Sequence, residues 1–375
     1  MTAKKYVISL ISILYIFFAV NLSLWYCCTK KFFTQRDLNR LGSYYTTSDL
    51  TGLANYQRHH EEFTAETIRN LDAIKLGSYH TSTGLIGSAD YQRNHEKFTP
   101  GTFDIITIGD SFSQGGYQDY FTDKLGMKVL NINMTGHCLN DIYKLISSGI
   151  IDELKPKAII LESVERSVQN RLGMTEIIPV KISREEVLRR ISRPQTSENI
   201  SRGIFPPIMM KTNIKFLRDI FYRIINPEQL SPKVYINQLA QYLFTNPGQE
   251  NLFMHYHEDL NYLSQTHNPE MINRNLNNAA KLLAEKNITL FFMPCADKYD
   301  LYYTYLKDKH GRPENPFFDE MRRVQPKNYI FIDTKAILRK ALERGEKDIY
   351  YLNDTHWSWK GMERVSEEIA KYLLP

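Results

Sequence analysis

Short apolar runs alternate with longer amphipathic segments from residue 103 to the C-terminus. The runs apolar enough to be buried strands are 103–108, 128–132, 158–161, 289–293 and 329–332. Helix-period segments follow the first two runs, around 115–126 and 138–154. Strands that are apolar on both faces are typical of parallel sheets covered by helices on both sides. The pattern therefore predicts an α/β domain with a mostly parallel central sheet.

A C-terminal helix and a long insertion are also predicted for this domain. An apolar stripe at spacings of three and four predicts a final helix that packs on the sheet; it is formed by Met362, Val365, Ile369 and Leu373. The stretch of about 167–285 is predicted to be a long, mostly helical insertion. The domain is thus predicted to cover 103–375.

The N-terminus carries a long uncharged segment. Residues 6–28 are long enough to cross a bilayer as a helix, with Lys4 and Lys5 before them and Trp25 and Tyr26 near the far edge. The bulky residues at the exit do not resemble a signal-peptide cleavage site. We expect an uncleaved anchor over 1–28, the alternative being a buried core helix. Basic residues flank the segment on both sides, so charge does not set its orientation.

Residues 29–102 are predicted to form a linker or arm that contains a tandem repeat. The segment 41–64 recurs at 76–99, as in Tyr56–Arg58 and Tyr91–Arg93. Two units are too few for a solenoid. The copies form either a lip that contacts a polar ligand or, as we favour, a duplicated surface arm.

Composition excludes several classes of protein. With 42% hydrophobic and 24% charged residues, the chain is neither collagen-like nor wholly disordered. The net charge of +5, without a basic-aromatic pattern, argues against a nucleic-acid partner. Four cysteines exclude a disulfide-dense scaffold, and the pairing of Cys138 with Cys295 stays open. Without zinc-type His or Cys spacing or a phosphate loop, we expect no metal or other cofactor.

Two motifs carry candidate chemistry. The first apolar run leads into the sequence GDSFS (109–113), which would present Ser111 at the carboxyl edge of the sheet. A helix N-cap is the alternative role for this serine. Before the last helix lies NDTHWS (353–358), where His356 can take the serine proton and Asp354 can orient the imidazole. A solvated Asp-His turn is the alternative here. Together the motifs predict a Ser-His-Asp triad.

Gly136 follows the second predicted strand. Its backbone N–H can approach a developing oxyanion beside the N–H of Ser111. An ordinary turn glycine fits the same position.

These motifs resemble the SGNH (GDSL-type) hydrolase superfamily. Four segments are similar to its membrane-anchored alginate O-acetyltransferase-like branch: 109–113, 162–166, 294–299 and 354–358. The resemblance covers about 100–375. Within it, the insertion is recognisable only by its position. The duplicated arm has no counterpart in the family. The resemblance implies an SGNH-like three-layer sandwich with a mostly parallel central sheet, a helical insertion and an N-terminal transmembrane helix.

The resemblance also implies a function. Ser111 would carry an acyl group, acetyl by the resemblance, to a cell-surface or exported polysaccharide. A multipass membrane acyltransferase (MBOAT-type) would supply acetyl, with the bulk of the chain outside the cytoplasm. A carbohydrate esterase or deacetylase would use the same triad. A non-catalytic polysaccharide-binding assembly protein is the third hypothesis.

The chain departs from the superfamily after the third strand. The superfamily usually places an asparagine there as an oxyanion donor, whereas this chain has Glu162, Glu165 and Arg166. Arg166 either replaces that donor or, as we favour, forms an ion pair with one of the two glutamates. Lys298 and Tyr299 follow the fourth strand and either bind the polymer or an anionic donor group, or are merely solvated.

Overall fold

The computed structural model describes these parts of the chain: 3–29, 102–113, 116–133, 138–191, 225, 229–231, 234–245, 252–351 and 355–374. Both repeat copies, 41–64 and 76–99, lie outside the described residues. The described strands are, in chain order, β1 (Ile105–Gly109), β2 (Val129–Asn133), β3 (Ala158–Val164), β4 (Gln229–Ser231), β5 (Val234–Gln238), β6 (Leu252–Tyr256), β7 (Thr289–Cys295) and β8 (Ile330–Phe331).

The described α-helices are, in chain order, α1 (Ala3–Thr29), α2 (Asp119–Leu125), α3 (Cys138–Ser147), α4 (Ile150–Leu154), α5 (Glu165–Val168), α6 (Arg184–Ile191), α7 (Pro269–Ala284), α8 (Lys298–Tyr302), α9 (Phe317–Arg323), α10 (Thr334–Glu343) and α11 (Trp359–Leu373). A π-helical turn covers Gln169–Gly173, and 3₁₀ segments cover His257–Ser264 and Tyr303–Tyr305. Helix α1 covers the predicted anchor, yet within the described ranges no helix combines the length and apolarity that crossing a membrane requires, so the transmembrane helix stays a prediction.

Five parallel strands form the central sheet, in the order β2-β1-β3-β7-β8. Every residue of β1 and β3 is buried, as expected for strands covered on both faces. The predicted parallel α/β sheet is confirmed. All five predicted runs form strands, with bounds shifted by up to three residues.

The direction of each crossover explains the layers around the sheet. From β1 the chain passes through α2 to β2, at one edge of the sheet. It then crosses in the other direction, through α3 to β3, through α7 to β7 and through α9 to β8. Right-handed crossovers that run in opposite directions place their helices on opposite faces. The contacts agree, since α7 touches α3 and α9, whereas α11 touches α2 and α10. Helices therefore cover both faces of the sheet.

Local signals explain where two helical segments begin and break. The predicted helix at 138–154 is two helices, α3 and α4, separated at Gly149, whose φ of 73° is left-handed. The Ser358 hydroxyl accepts a hydrogen bond from the backbone N–H of Lys360 at 3.1 Å and caps α11. The predicted apolar stripe is buried at Met362, Val365 and Ile369.

The described part of the insertion contains strands as well as the predicted helices. Its described part contains α6, α7 and the 3₁₀ segment, but also an antiparallel sheet in the order β4-β5-β6. Each of these strands has at most five residues, too few to establish a period of two in the sequence. This sheet leads directly through the 3₁₀ segment toward the candidate site.

Cys138 and Cys295 are both buried and are not joined in a disulfide. Burial raises the pKa of the Cys138 thiol to about 12. These two cysteines act as apolar core residues.

Candidate active site

Ser111 and His356 lie in hydrogen-bonding contact. The Oγ of Ser111 is 2.8 Å from the Nε2 of His356, although the residues are 245 positions apart in the chain. Ser111 follows β1 at the carboxyl edge of the sheet, and His356 lies in the loop that leads into α11. The serine is exposed, so a substrate can reach its hydroxyl from solvent.

The turn that presents Ser111 requires a glycine at its start. A Cβ on Gly109 would collide with the Oγ of Ser113 and with Oε2 of Glu162. The chain folds back closely here because the N–H of Ser113 donates to the carbonyl of Asp110 at 3.1 Å. Gly109 therefore permits the sharp change of direction between β1 and the nucleophile turn.

Glu162, near the end of β3, holds this turn from inside the domain. Its Oε2 accepts hydrogen bonds from the backbone N–H of Asp110 at 2.8 Å and from the Ser113 hydroxyl at 2.9 Å. Burial, and then the nearby charge of Asp110, raise the pKa of the Glu162 carboxyl well above its usual value. The surroundings of Glu162 therefore favour its protonated form.

The pKa of Asp110 shifts in the opposite direction. Its carboxylate accepts hydrogen bonds from the N–H groups of Phe112 and Val164, both at 3.1 Å, and from Nη1 of Arg171 at 2.6 Å. Burial opposes ionisation, but the charge and hydrogen bond of Arg171 together with the backbone donors lower the Asp110 pKa. Arg171 also donates to the hydroxyl of Ser163 at 2.8 Å, which fixes its guanidinium against β3.

Aromatic packing holds the His356 loop against the serine turn. The imidazole packs on the ring of Phe112 with centroids 4.8 Å apart, and the indole N–H of Trp357 donates to the Phe112 carbonyl at 3.3 Å. The N–H of Tyr351 donates to the carbonyl of His356 at 3.2 Å. The ring contact and the two hydrogen bonds thus hold the His356 loop beside the serine turn.

Arg166 forms an ion-pair network, but not with the predicted partners. Its Nη1 contacts the carboxylates of Asp297 and Asp259, the second at 3.2 Å, and the Thr355 hydroxyl at 3.2 Å. Neither Glu162 nor Glu165 is its partner, so that prediction was wrong. The two aspartates come from the end of β7 and from the 3₁₀ segment, which local sequence does not bring together. The oxyanion role of Arg166 stays a prediction.

Lys298 and Tyr299 are buried, which corrects both predicted roles. The Lys298 ammonium donates to the carbonyl of Tyr351 at 2.6 Å, and its side chain is inaccessible to solvent. The hydroxyl of Tyr299 donates to the backbone carbonyl of Pro313 at 3.3 Å. A lysine directly after a strand usually points to water, but here the loop of the candidate base folds over it. Both side chains lie in the interior of the domain and do not line the surface of the site.

The remaining predicted site residues, Asp354 and Gly136, lie outside the described residues. Arg171 and Asp259 are site residues that the sequence interpretation missed. Arg171 lies nine positions after Glu162 on a π-helical turn, where no motif points back to Asp110. Within the described parts of the chain, no group of three His, Cys, Asp or Glu side chains could hold a metal ion.

Comparisons with known proteins agree with the motifs. Neither the characterised proteins nor the solved structures include a match to this chain. Residues 249–375 match the family model of the SGNH hydrolase-like domain of the acetyltransferase AlgX. The matched part contains His356 and Asp259 but not Ser111. The match confirms the resemblance, predicted from the motifs, to the AlgX-like branch of the SGNH superfamily.

Proposed function

We propose that this protein transfers an O-acyl group, acetyl by its family resemblance, to a polysaccharide through an acyl-Ser111 intermediate. The observation that carries the proposal is the 2.8 Å contact between the Ser111 hydroxyl and Nε2 of His356. A serine hydroxyl is a weak nucleophile until a base removes its proton. An exposed serine in contact with an imidazole at the carboxyl edge of a parallel sheet meets that requirement.

In the first step, His356 Nε2 takes the Ser111 proton while Oγ attacks the carbonyl carbon of the acyl donor. The carbonyl electrons move onto oxygen and form a tetrahedral oxyanion. When they return, the bond to the donor oxygen breaks, and protonated His356 gives its proton to the leaving group. Ser111 is left as an ester. Backbone N–H groups at the turn and at Gly136 are the proposed oxyanion donors.

In the second step, a sugar hydroxyl occupies the position that the leaving group left. His356 takes the hydroxyl proton while the sugar oxygen attacks the ester carbon of acyl-Ser111. Collapse of this second tetrahedral intermediate breaks the bond to Oγ, and His356 returns the proton to Ser111. The acyl group ends on the sugar and the enzyme is regenerated. We assign Asp354 the role of orienting the imidazole, as in other Ser-His-Asp sites.

The setting of the reaction is part of the proposal. The uncharged segment at 6–28 would anchor the chain, with the catalytic domain in the periplasm or at the cell surface. A multipass membrane acyltransferase would bring acetyl across the bilayer. Tethering both proteins to one membrane raises the effective concentration of donor near Ser111. The acceptor would be a cell-surface or exported polysaccharide.

Water in place of the sugar would make the same residues an esterase. Incubating the purified full-length protein with a chromogenic acetyl ester and a panel of oligosaccharides separates the two reactions. Acetylated oligosaccharide in the mass spectrum supports transfer, whereas free acetate formed at the same rate with and without sugar supports hydrolysis. Cells carrying Ser111→Ala provide the third comparison. Unchanged polysaccharide acetylation in them would indicate a non-catalytic assembly protein.

A further inference from the structure

Thr355 connects the candidate base to the interior of the domain. It directly precedes His356 and is almost fully buried. Its hydroxyl oxygen accepts from Nη1 of Arg166 at 3.2 Å, and its proton is directed to Oδ1 of Asp259 at 3.5 Å. One hydroxyl can serve as donor and acceptor at once. Both hydrogen-bonding functions of Thr355 are therefore directed at one ion-pair network.

Arg166 is held rigidly on its other side. Its backbone N–H donates to Oδ2 of Asp297 at 2.8 Å, while its Nη1 contacts Oδ1 of the same carboxylate. Asp297 is itself fixed, because its N–H donates to Glu165 at 2.6 Å. The backbone N–H and the guanidinium of Arg166 therefore bind the same carboxylate, that of Asp297, which follows β7.

The charge on Arg166 is maintained despite burial. Burial lowers the pKa of the guanidinium, but Asp297 and Asp259 outweigh it and raise that pKa above its usual value. Burial also raises the pKa of the Asp297 carboxyl well above its usual value, and the charge of Arg166 opposes this shift. The Arg166 side chain is only 12% exposed, and both aspartate side chains are inaccessible. Removing one member of such a buried network leaves an uncompensated charge, so the members hold one another in place.

The network joins segments that are far apart in the chain. Arg166 lies on α5 directly after β3, Asp297 follows β7, and Asp259 belongs to the 3₁₀ segment of the insertion. The His356 loop touches this network through Thr355 and touches the serine turn through Phe112. The position of the loop therefore depends on two contacts, that of Thr355 with the ion-pair network and that of the His356 ring with Phe112.

We propose that Arg166 is a positioning residue, which acts through Thr355 to keep Nε2 of His356 within reach of Ser111. The inference rests on the proposed function. Displacement of a reacting group by about 1 Å can reduce a rate by about a hundredfold. Loss of one hydrogen bond that fixes the loop should therefore affect turnover more than substrate binding.

The test compares Thr355→Val, which keeps the shape and removes the hydroxyl, with Thr355→Ser, which keeps the hydroxyl. The readouts are kcat and KM for a chromogenic acetyl ester and the rate at which a fluorophosphonate labels Ser111 in the full-length protein. We expect Thr355→Val to lower kcat and the labelling rate about tenfold with KM changed less than about twofold. Thr355→Ser should retain wild-type values within about threefold. If the valine variant does not fold, Thr355→Ala replaces it as the variant without a hydroxyl, because alanine is too small to overpack the site.

The possible results separate the two claims. Equal labelling of wild type and Thr355→Val, with equal kcat, would overturn the positioning role of Arg166 and leave the proposed function intact. A large loss in Thr355→Ser would also overturn it, because the hydroxyl would then not be the connection. If wild-type Ser111 neither reacts with the fluorophosphonate nor hydrolyses the ester, the proposed function itself fails, and the positioning inference fails with it.

Discussion

Glu162 accepts a hydrogen bond from the backbone N–H of Asp110, and the surroundings of the two carboxyl groups shift their pKa values in opposite directions. Burial, and then the charge of Asp110, raise the pKa of Glu162, whereas Arg171 and two backbone donors lower the pKa of Asp110 against the effect of burial. Neighbouring titratable groups in such different environments are separated in pKa. The negative charge is therefore favoured on Asp110, and Glu162 serves the turn as a hydrogen-bond acceptor.

Because burial raises the pKa of Glu162 and favours its uncharged form, its amide analogue is a close substitute. Glu162→Gln retains an acceptor for Asp110 and Ser113, and we expect near wild-type kcat and stability. Glu162→Ala leaves both donors unpaired in the interior, and each should cost about 1–3 kcal/mol in the free energy of unfolding. Urea denaturation and ester turnover measure the two effects. If Glu162→Gln were as damaging as Glu162→Ala, an ionised Glu162 would be required instead.

The same group predicts a pH dependence of stability. The folded-state pKa of Glu162 lies well above its usual value of 4.5, so its contribution to stability is complete below about pH 4.5. That contribution declines as pH rises toward the folded-state pKa, because the unfolded chain loses this proton first. The free energy of unfolding of wild type relative to Glu162→Gln should therefore fall from mildly acidic to alkaline pH. Urea titrations of both proteins at a series of pH values check this, and a constant difference would contradict it.

Gly109 should not tolerate a side chain. Gly109→Ala places a Cβ against Ser113 and Glu162, and overpacking of this kind costs about 1–3 kcal/mol. We expect lower stability and a displaced Ser111 with reduced turnover. Combining it with Ser113→Ala removes one of the two collisions, so the double variant should recover part of the lost stability. Additive losses in the double variant would indicate that this contact does not shape the turn.

The proposed anchor makes a prediction about fractionation. We expect the full-length protein to sediment with membranes and to resist alkaline carbonate, because residues 6–28 carry no charge. Deletion of residues 1–28 should release it into the soluble fraction. Protease treatment of spheroplasts, whose outer membrane has been opened, should degrade the catalytic domain if that domain lies outside the cytoplasm. Release of the full-length protein by carbonate alone would contradict the anchor.

Much of the fold could be predicted from the sequence because local composition determines it. Both faces of β1 and β3 are buried, so most of their residues are apolar and the two strands stand out from the helices around them. The stripe on α11 has the helical period. The strands β4–β6 gave no such signal, since each has at most five residues and so leaves little periodicity in the sequence.

The candidate site was predictable where its chemistry is encoded in motifs. Ser111 and His356 each lie in a recognisable sequence segment, and their contact follows from the parallel order of the sheet. The partners of Arg166 were not predictable, because Asp259 and Asp297 approach it from distant elements. The burial of Lys298 was not predictable either, because its ammonium is bound by the carbonyl of Tyr351, which is distant in the sequence.

The central claim is that Ser111 becomes acylated with His356 as its base. Intact mass spectrometry of the full-length protein, quenched in acid within seconds of mixing with a chromogenic acetyl ester, measures this directly. The account predicts a mass increase of one acetyl group, located by peptide mapping at Ser111, absent in Ser111→Ala and strongly reduced in His356→Ala. Unmodified wild-type protein during turnover, or equal acetylation of Ser111 in His356→Ala, would contradict it.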